Sequence, residues 1–214
     1  PAGVANDLNG TAPDTRPGSE TWTGHVQFNA DGTVGNGPAD ASAWLPFTPE
    51  ANKVYTLKVD LDTTTAGTEW ISVGFAAAAD TDSNFASANV NGYGTLLYDG
   101  NGGIQTFSGA ANRGQDGFSL PSGPLSVTIT LDTTPAADTD WTVSWSATDT
   151  GSGSYTRGAT TKNLGNFSQI DYVGFTRNGG IGYVDNFELS VIPEPASAGL
   201  LLVGVLLLVR RVRR

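Results

Sequence analysis

The chain reads as an all-β protein: an antiparallel two-sheet jelly-roll sandwich followed by one C-terminal hydrophobic helix. Three observations predict it. No stretch before residue 190 sustains a 3.6-residue apolar period, whereas apolar and polar residues alternate repeatedly. Turn-forming residues interrupt these runs roughly every 8 to 12 residues. The composition is one of strands and turns, with 28 glycines, abundant Thr, Asn and Ser, and sixteen Asp among the 21 acids.

Taken in order, residues 1–20 form an irregular lead-in with one short pairing segment. Trp22, Val26 and Phe28 alternate and stop at the turn Ala30-Asp31-Gly32. Ala43 to Phe47 is a short apolar piece ended by Pro46 and Pro49. Tyr55, Leu57, Val59 and Leu61 make a half-buried strand, and Ile71, Val73 and Phe75 make another. A long polar loop follows over residues 78–93. Leu96 to Tyr98 and Ile104 to Phe107 then form a hairpin around Asp99-Gly100-Asn101-Gly102-Gly103. Leu125, Val127, Ile129 and Leu131 alternate, as do Trp141, Val143, Trp145 and Ala147; the last strands are Ile170 to Thr176 and Tyr183 to Val191. The expected core includes Leu57, Val59, Val127, Ile129, Val143, Trp145, Phe187 and Leu189. One echo stands out: Leu61-Asp62-Thr63-Thr64 up to Trp70 matches Leu131-Asp132-Thr133-Thr134 up to Trp141. Each copy lies between two strong strands, so the same hairpin design is expected twice.

Composition narrows the function classes. With no cysteine, a disulfide framework and a Cys-based zinc site are both excluded. No methionine is present, so the numbering is expected to start on a processed chain or a fragment. The net charge of −10 includes +3 from the last 24 residues, leaving the body near −13. That balance argues against nucleic acid, whose binders concentrate Lys and Arg. It suits an extracellular domain. About 190 residues suffice for one sandwich domain, 1–190, with 191–214 as a tail.

The search for catalytic chemistry is mostly negative. His25 is the sole histidine, so a Ser–His–Asp triad would have to use it, and no G-x-S-x-G elbow accompanies it. Asp60 and Asp62 project from one strand face, but opposite Val59 and Leu61 they read as a solvated face. The protein is therefore expected not to be an enzyme. Asp80, Asp82 and Asn84 place oxygen side chains at alternate loop positions, as Ca²⁺ sites do; an Asx-rich turn without metal is the simpler alternative. Asp185 shares parity with Tyr183, Phe187 and Leu189 and is expected to face inward or toward a sheet edge. There it needs a hydrogen-bonding partner, Arg16 or a Ca²⁺ ion. Trp70, Tyr93, Tyr98 and Tyr155 lie in or beside loops and offer faces on which a sugar could stack. Trp22, Trp141 and Trp145 read as core.

Residues 191–214 have three parts: Pro193-Glu194-Pro195, an uncharged run of 14 residues from Ala196 to Val209, and Arg210, Arg211, Arg213 and Arg214. As a helix the run is about 21 Å long, a short membrane span that snorkelling arginines extend. Arginines at one end only orient that end to the cytoplasm. The order resembles the PEP-CTERM sorting tail of bacterial surface and exopolysaccharide-associated proteins. That resemblance implies an exosortase-type transpeptidase acting near Pro193-Glu194-Pro195. It also implies an inner-membrane stage followed by release or attachment at the cell surface or in the extracellular matrix. The strand before the tail is expected to finish near Val191, with residues 192–198 as an exposed linker.

The body carries a second resemblance. Leu8-Asn9-Gly10, Asp14-Thr15-Arg16-Pro17-Gly18 and Trp22 resemble the opening segment of concanavalin A-like (laminin-G-like) jelly rolls. Val73-Gly74-Phe75, Val173-Gly174-Phe175 and the closing Gly182-Tyr183-Val184-Asp185-Asn186-Phe187-Glu188-Leu189 fit the same group. A different jelly-roll carbohydrate-binding topology is the alternative. The expectation that follows is a lectin-like module binding carbohydrate or exopolysaccharide. A self-assembling surface subunit is the alternative, and a glycosidase the lesser one.

Overall fold

Alternation gives each strand two unlike faces, and two sheets can then bury their apolar faces against each other. The computed structural model of the 214-residue chain describes residues 6–7, 10, 18–24, 27–28, 40–63, 70–79, 92–99, 103–107, 118–119, 123–149, 155–163, 170–178 and 182–193. The strands in order begin with β1 (Asn6–Asp7), β2 (Thr23–Gly24), β3 (Gln27–Phe28), β4 (Asp40–Pro46), β5 (Lys53–Thr63), β6 (Trp70–Ala76) and β7 (Gly92–Asp99). They continue with β8 (Gly103–Phe107), β9 (Phe118–Ser119), β10 (Leu125–Asp132), β11 (Thr142–Asp149), β12 (Tyr155–Asn163), β13 (Tyr172–Asn178) and β14 (Gly182–Pro193). One 3₁₀ turn, Asp138–Asp140, is the only helical piece among the described residues. None of these residues forms a helix long and apolar enough to cross a membrane.

Two antiparallel sheets make the body. One runs β12-β11-β10-β5-β14 and the other β2-β4-β13-β6-β7-β8-β9, while β1 and β3 pair separately. The predicted alternation sets the core. On β10, Leu125, Val127, Ile129 and Leu131 are buried in turn between half-buried polar residues. Tyr55, Leu57, Val59 and Leu61 of β5 join them, as do Val143, Trp145 and Ala147 of β11. From the larger sheet, Ile71, Val73, Phe75, Val173 and Phe175 face the same core. The opposite face of the smaller sheet is polar, with Thr56, Lys58, Asp60 and Asp62 on β5 backed by Ser and Thr on β10 and β11. Seven of the eight expected core residues are buried, and Phe187 is partly buried against Trp22 and Phe175.

The two Val-Gly-Phe pieces are cross-strand partners. Val173 lies opposite Phe75, Gly174 opposite Gly74, and Phe175 opposite Val73. The valines and phenylalanines enter the core, and the glycines leave a notch on the outer side. Trp44 on β4, the other partner of Gly174, occupies it: a Cβ at Gly174 would lie 2.9 Å from Trp44 Cε3 and run into the carbonyl oxygen of Ala43. Trp44 is fully buried there, donating its indole N–H to Ser42 Oγ at 2.7 Å.

The structure corrects four expectations. The echoed segments are not twin hairpins. Residues 132–141 join β10 and β11, which are antiparallel neighbours, but β5 and β6 belong to different sheets. The second copy closes locally because Asp132 Oδ1 accepts from Thr134 N (2.9 Å) and Thr134 Oγ1 (2.6 Å), while Trp141 donates to Pro135 O (3.0 Å). A strand without apolar alternation, β12, was not expected; its Thr, Arg and Lys suit a sheet edge. The last strand runs to Pro193 rather than ending near Val191, with Ile192 opposite Val54 and Pro193 opposite Lys53. Proline is tolerated there because β14 is an edge strand and needs no further donor at its final rung. Finally, Asp185 is exposed. A bulge between Asp185 and Glu188, with Asn186 at φ 52°, reverses the parity, so that Val184 and Leu189 both face inward.

Candidate functional site

The described residues enclose a cleft of about 490 Å³ at one end of the sandwich, where β4, β5, β13 and β14 finish or begin. That volume lies within the range of small-ligand sites. Its floor is apolar: Leu45, Tyr55, Val173 and Leu189 line it and are buried in the core. Its rim is polar, carrying Glu20, Thr48, Glu50 and Lys53. Phe47 makes an aromatic wall, edge-to-face with Tyr55 at 5.0 Å and tilted on Phe75 at 5.4 Å. The Phe47 N–H donates to Asp171 O at 2.8 Å, which fixes the chain as it leaves β4.

A single buried threonine positions the rim. Thr133, at the end of β10, accepts from Lys53 N at 2.9 Å, and its own N–H donates to Lys53 O at 2.9 Å. The hydroxyl lies 2.7 Å from Glu50 O. Lys53 O lies 2.9 Å from the same hydroxyl, so the proton is within reach of both carbonyls and Glu50 O is the nearer. The Asn52 N–H adds a bond to Thr133 O at 2.8 Å, and Asn52 takes φ 61°, a conformation that asparagine tolerates. The turn is thereby stapled so that Glu50 and Lys53 face each other at 3.9 Å. Tyr55 Oη accepts from Glu50 N at 2.8 Å. Burial raises the Tyr55 pKa, the Glu50 carboxylate adds to the rise, and the Glu50 hydrogen bond opposes it. The Tyr55 hydroxyl thus stays neutral in ordinary buffers, able to both donate and accept. Glu20 closes the cleft from the lead-in, its carboxylate folded back over Gly18.

The four aromatics chosen from sequence are not brought together. Tyr98 is fully buried, donating to Gly123 O at 2.6 Å and accepting from Gly123 N at 3.1 Å; its inward parity on β7 removes it as a stacking surface. Tyr93 lies opposite Phe75 on β7, and Tyr155 opposite Asp149 on the edge strand β12 of the other sheet. Trp70 alone is a half-buried ring on the outer side of the larger sheet, in register with Asn178 and Asp99. It sits at the far end of the strands from the cleft: Val173 and Asn178 are five positions apart on β13, about 17 Å. Trp22, Trp141 and Trp145 are core residues as expected.

Asp185 accepts from its neighbour Asn186 N at 2.8 Å, and Asn186 Nδ2 donates to Asp60 Oδ2 at 2.7 Å. Asp60 and Asp185 are cross-strand partners, so Asn186 bridges two like charges, one through its backbone N–H and the other through its side-chain amide. Asp62 is on the same polar face, its pKa raised by burial. No group of three potential metal-ligating His, Asp or Glu side chains occurs among the described residues. Asp80, Asp82, Asn84, His25, Arg16, Glu194, Pro195 and the tail residues Arg210, Arg211, Arg213 and Arg214, for which a helix was expected, lie outside the described residues.

Two similar solved structures place the architecture. The carbohydrate recognition domain of Emp46p, in metal-free form, superposes with a TM-score of 0.51 at 10% identity, covering 80% of this chain and 87% of that one. The carbohydrate recognition domain of Emp47p gives 0.50 at 13% identity, over 88% and 94%. The fold is a concanavalin A-like lectin sandwich. A PL-14 alginate lyase from Aplysia kurodai gives 0.46 at 11% identity, over 81% and 82%. At such identities the likeness is one of fold and does not extend to what those proteins bind or cleave. No family model and no curated protein matches the sequence.

Proposed function

We propose that this lectin-type sandwich is a non-enzymatic carbohydrate-binding module of an exported bacterial surface or matrix protein, and that the cleft beside Phe47 is its binding site. The observation that carries the reading is the cleft itself: an apolar floor, one aromatic wall and convergent polar groups, the make-up of a sugar site. The fold held in common with carbohydrate recognition domains supports it. A glycan array probed with the 214-residue chain tests the reading. Binding that falls on Phe47→Ala supports it, and an array without signal rejects it.

Delivery is part of the same proposal. The Pro193-Glu194-Pro195 triplet, the apolar run and the terminal arginines support an exosortase-type sorting tail, membrane-held before processing and then lost. Mass spectrometry of the protein recovered from cells decides this: loss of Leu200 to Arg214 from the extracellular form supports it, and their retention makes the tail a permanent anchor. The glycosidase alternative has one specific support, since Glu20 and Glu50 share the cleft. Against it, the Glu50 side chain is 76% exposed, unlike the buried acid that protonates a leaving sugar oxygen.

A further inference from the structure

The cleft lies where the tail leaves the sandwich. Val191 and Lys53 line it, and Pro193, at the end of β14, is the cross-strand partner of Lys53. Among the described residues, the large hydrophobic side chains left exposed are Val191, at 36%, and Ile192, at 57%. Both sit at this exit, and Pro46 and Thr48 of the cleft lining are exposed with them.

Spacing in the sequence brings a lipid surface to the same end. The apolar run starts at Ala196, three residues after Pro193, and an extended chain covers at most about 3.6 Å per residue, or about 11 Å here. At 14 residues the run is shorter than the hydrocarbon core of a bilayer, so it has no slack with which to lengthen that reach. The headgroup layer takes up about 5–8 Å of it. What remains is too narrow for a hydrated polysaccharide chain.

We infer that, while the tail is attached, this end of the sandwich is seated on lipid headgroups, with Val191 and Ile192 against them and the cleft mouth turned to the bilayer. A polymer then reaches the cleft only after processing releases the domain. The inference rests on the membrane-held stage proposed above and gives that stage a consequence for the binding site.

The chain has no cysteine, so single-cysteine variants of the full chain report accessibility cleanly. Thr48→Cys places a thiol at the cleft, and Asp185→Cys an exposed one six positions back along β14 from Val191, about 20 Å away. Both are inserted in phosphatidylcholine–phosphatidylglycerol liposomes and treated with a bulky maleimide-polyethylene glycol. Asp185→Cys should label and Thr48→Cys should resist. A 20-residue Gly-Ser spacer placed after Pro195 adds a reach of about 25 Å and should make Thr48→Cys label like Asp185→Cys. Equal labelling of the two without the spacer overturns the inference, and so does resistance that persists with it. Resistance that appears without liposomes and grows with protein concentration assigns this end to a second copy and overturns it as well. A chain that does not float with the liposomes overturns the membrane-held reading and the inference together. A blank glycan array alongside the expected labelling rejects carbohydrate binding and leaves the lipid-facing surface standing.

Discussion

Gly174 carries a sharp test of the packing, because its two neighbours differ in how far they can yield. A Cβ placed there meets the backbone carbonyl of Ala43 and, at 2.9 Å, the buried ring of Trp44. An aliphatic carbon settles about 3.5 Å from its neighbours, so β4 and β13 would have to part by on the order of 1 Å. Strain of this kind costs about 1–3 kcal/mol, and losing one or two ladder bonds beside Ala43 adds about 1 kcal/mol each. A total of about 2–5 kcal/mol lowers Tm by on the order of 10 °C in a domain of this size. Thermal unfolding followed by circular dichroism reads this directly. Gly18→Ala is the matched control: its clash is with a movable side-chain end, and its effect should stay within about 0.5 kcal/mol. Equal melting temperatures for the two variants would refute the Val-Gly-Phe pairing and the Trp44 notch.

Ile129→Ala should cost about 2–5 kcal/mol through the cavity left in the core, read as a lower urea midpoint at unchanged slope. Thr133→Val keeps the shape but strands Glu50 O and Lys53 N, and should cost about 1–3 kcal/mol while weakening sugar binding. Asp62 has a folded-state pKa raised by burial. Its protonated form is therefore favoured by folding, and that contribution is lost as pH rises through the folded pKa. Asp62→Asn should stabilise the protein at neutral pH and lose that advantage below about pH 4, where both states are protonated; an advantage equal at both pH values would contradict the shift. Millimolar calcium against chelator should leave Tm unchanged if residues 80–84 form an Asx turn, whereas a rise would assign Asp80, Asp82 and Asn84 to the ion.

Period-two alternation made the central strands legible. Leu125 to Leu131 and Tyr55 to Leu61 line one core because each has only one apolar face. What alternation could not convey was partner choice. The echoed Leu-Asp-Thr-Thr segments look alike, yet one closes a hairpin and the other leads between sheets, a difference set by tertiary pairing. Parity arguments also fail past a bulge, which is why Asp185 emerged on the surface while Val184 turned inward.

The cleft was the least legible part. Its residues come from the lead-in, β4, β5, β13 and β14, and no local motif joins them. The proline-flanked Pro46-Phe47-Thr48-Pro49-Glu50 was the available signal, since an aromatic held between two prolines at a strand end leaves the ladder with its side chain in fixed position. The aromatics beside loops drew attention instead. Exposure was inferred for Tyr98 from its place near the hairpin, whereas its parity already matched Leu96 and the core.

The central claim, that sugar enters the cleft beside Phe47, is tested most directly by an NMR titration of the labelled chain with the glycan that the array selects. The backbone amides of Phe47, Thr48, Glu50, Tyr55 and Val191 should shift together and saturate with one affinity. Shifts gathered instead around Trp70, Asp99 and Asn178, at the opposite end of the larger sheet, would contradict the assignment.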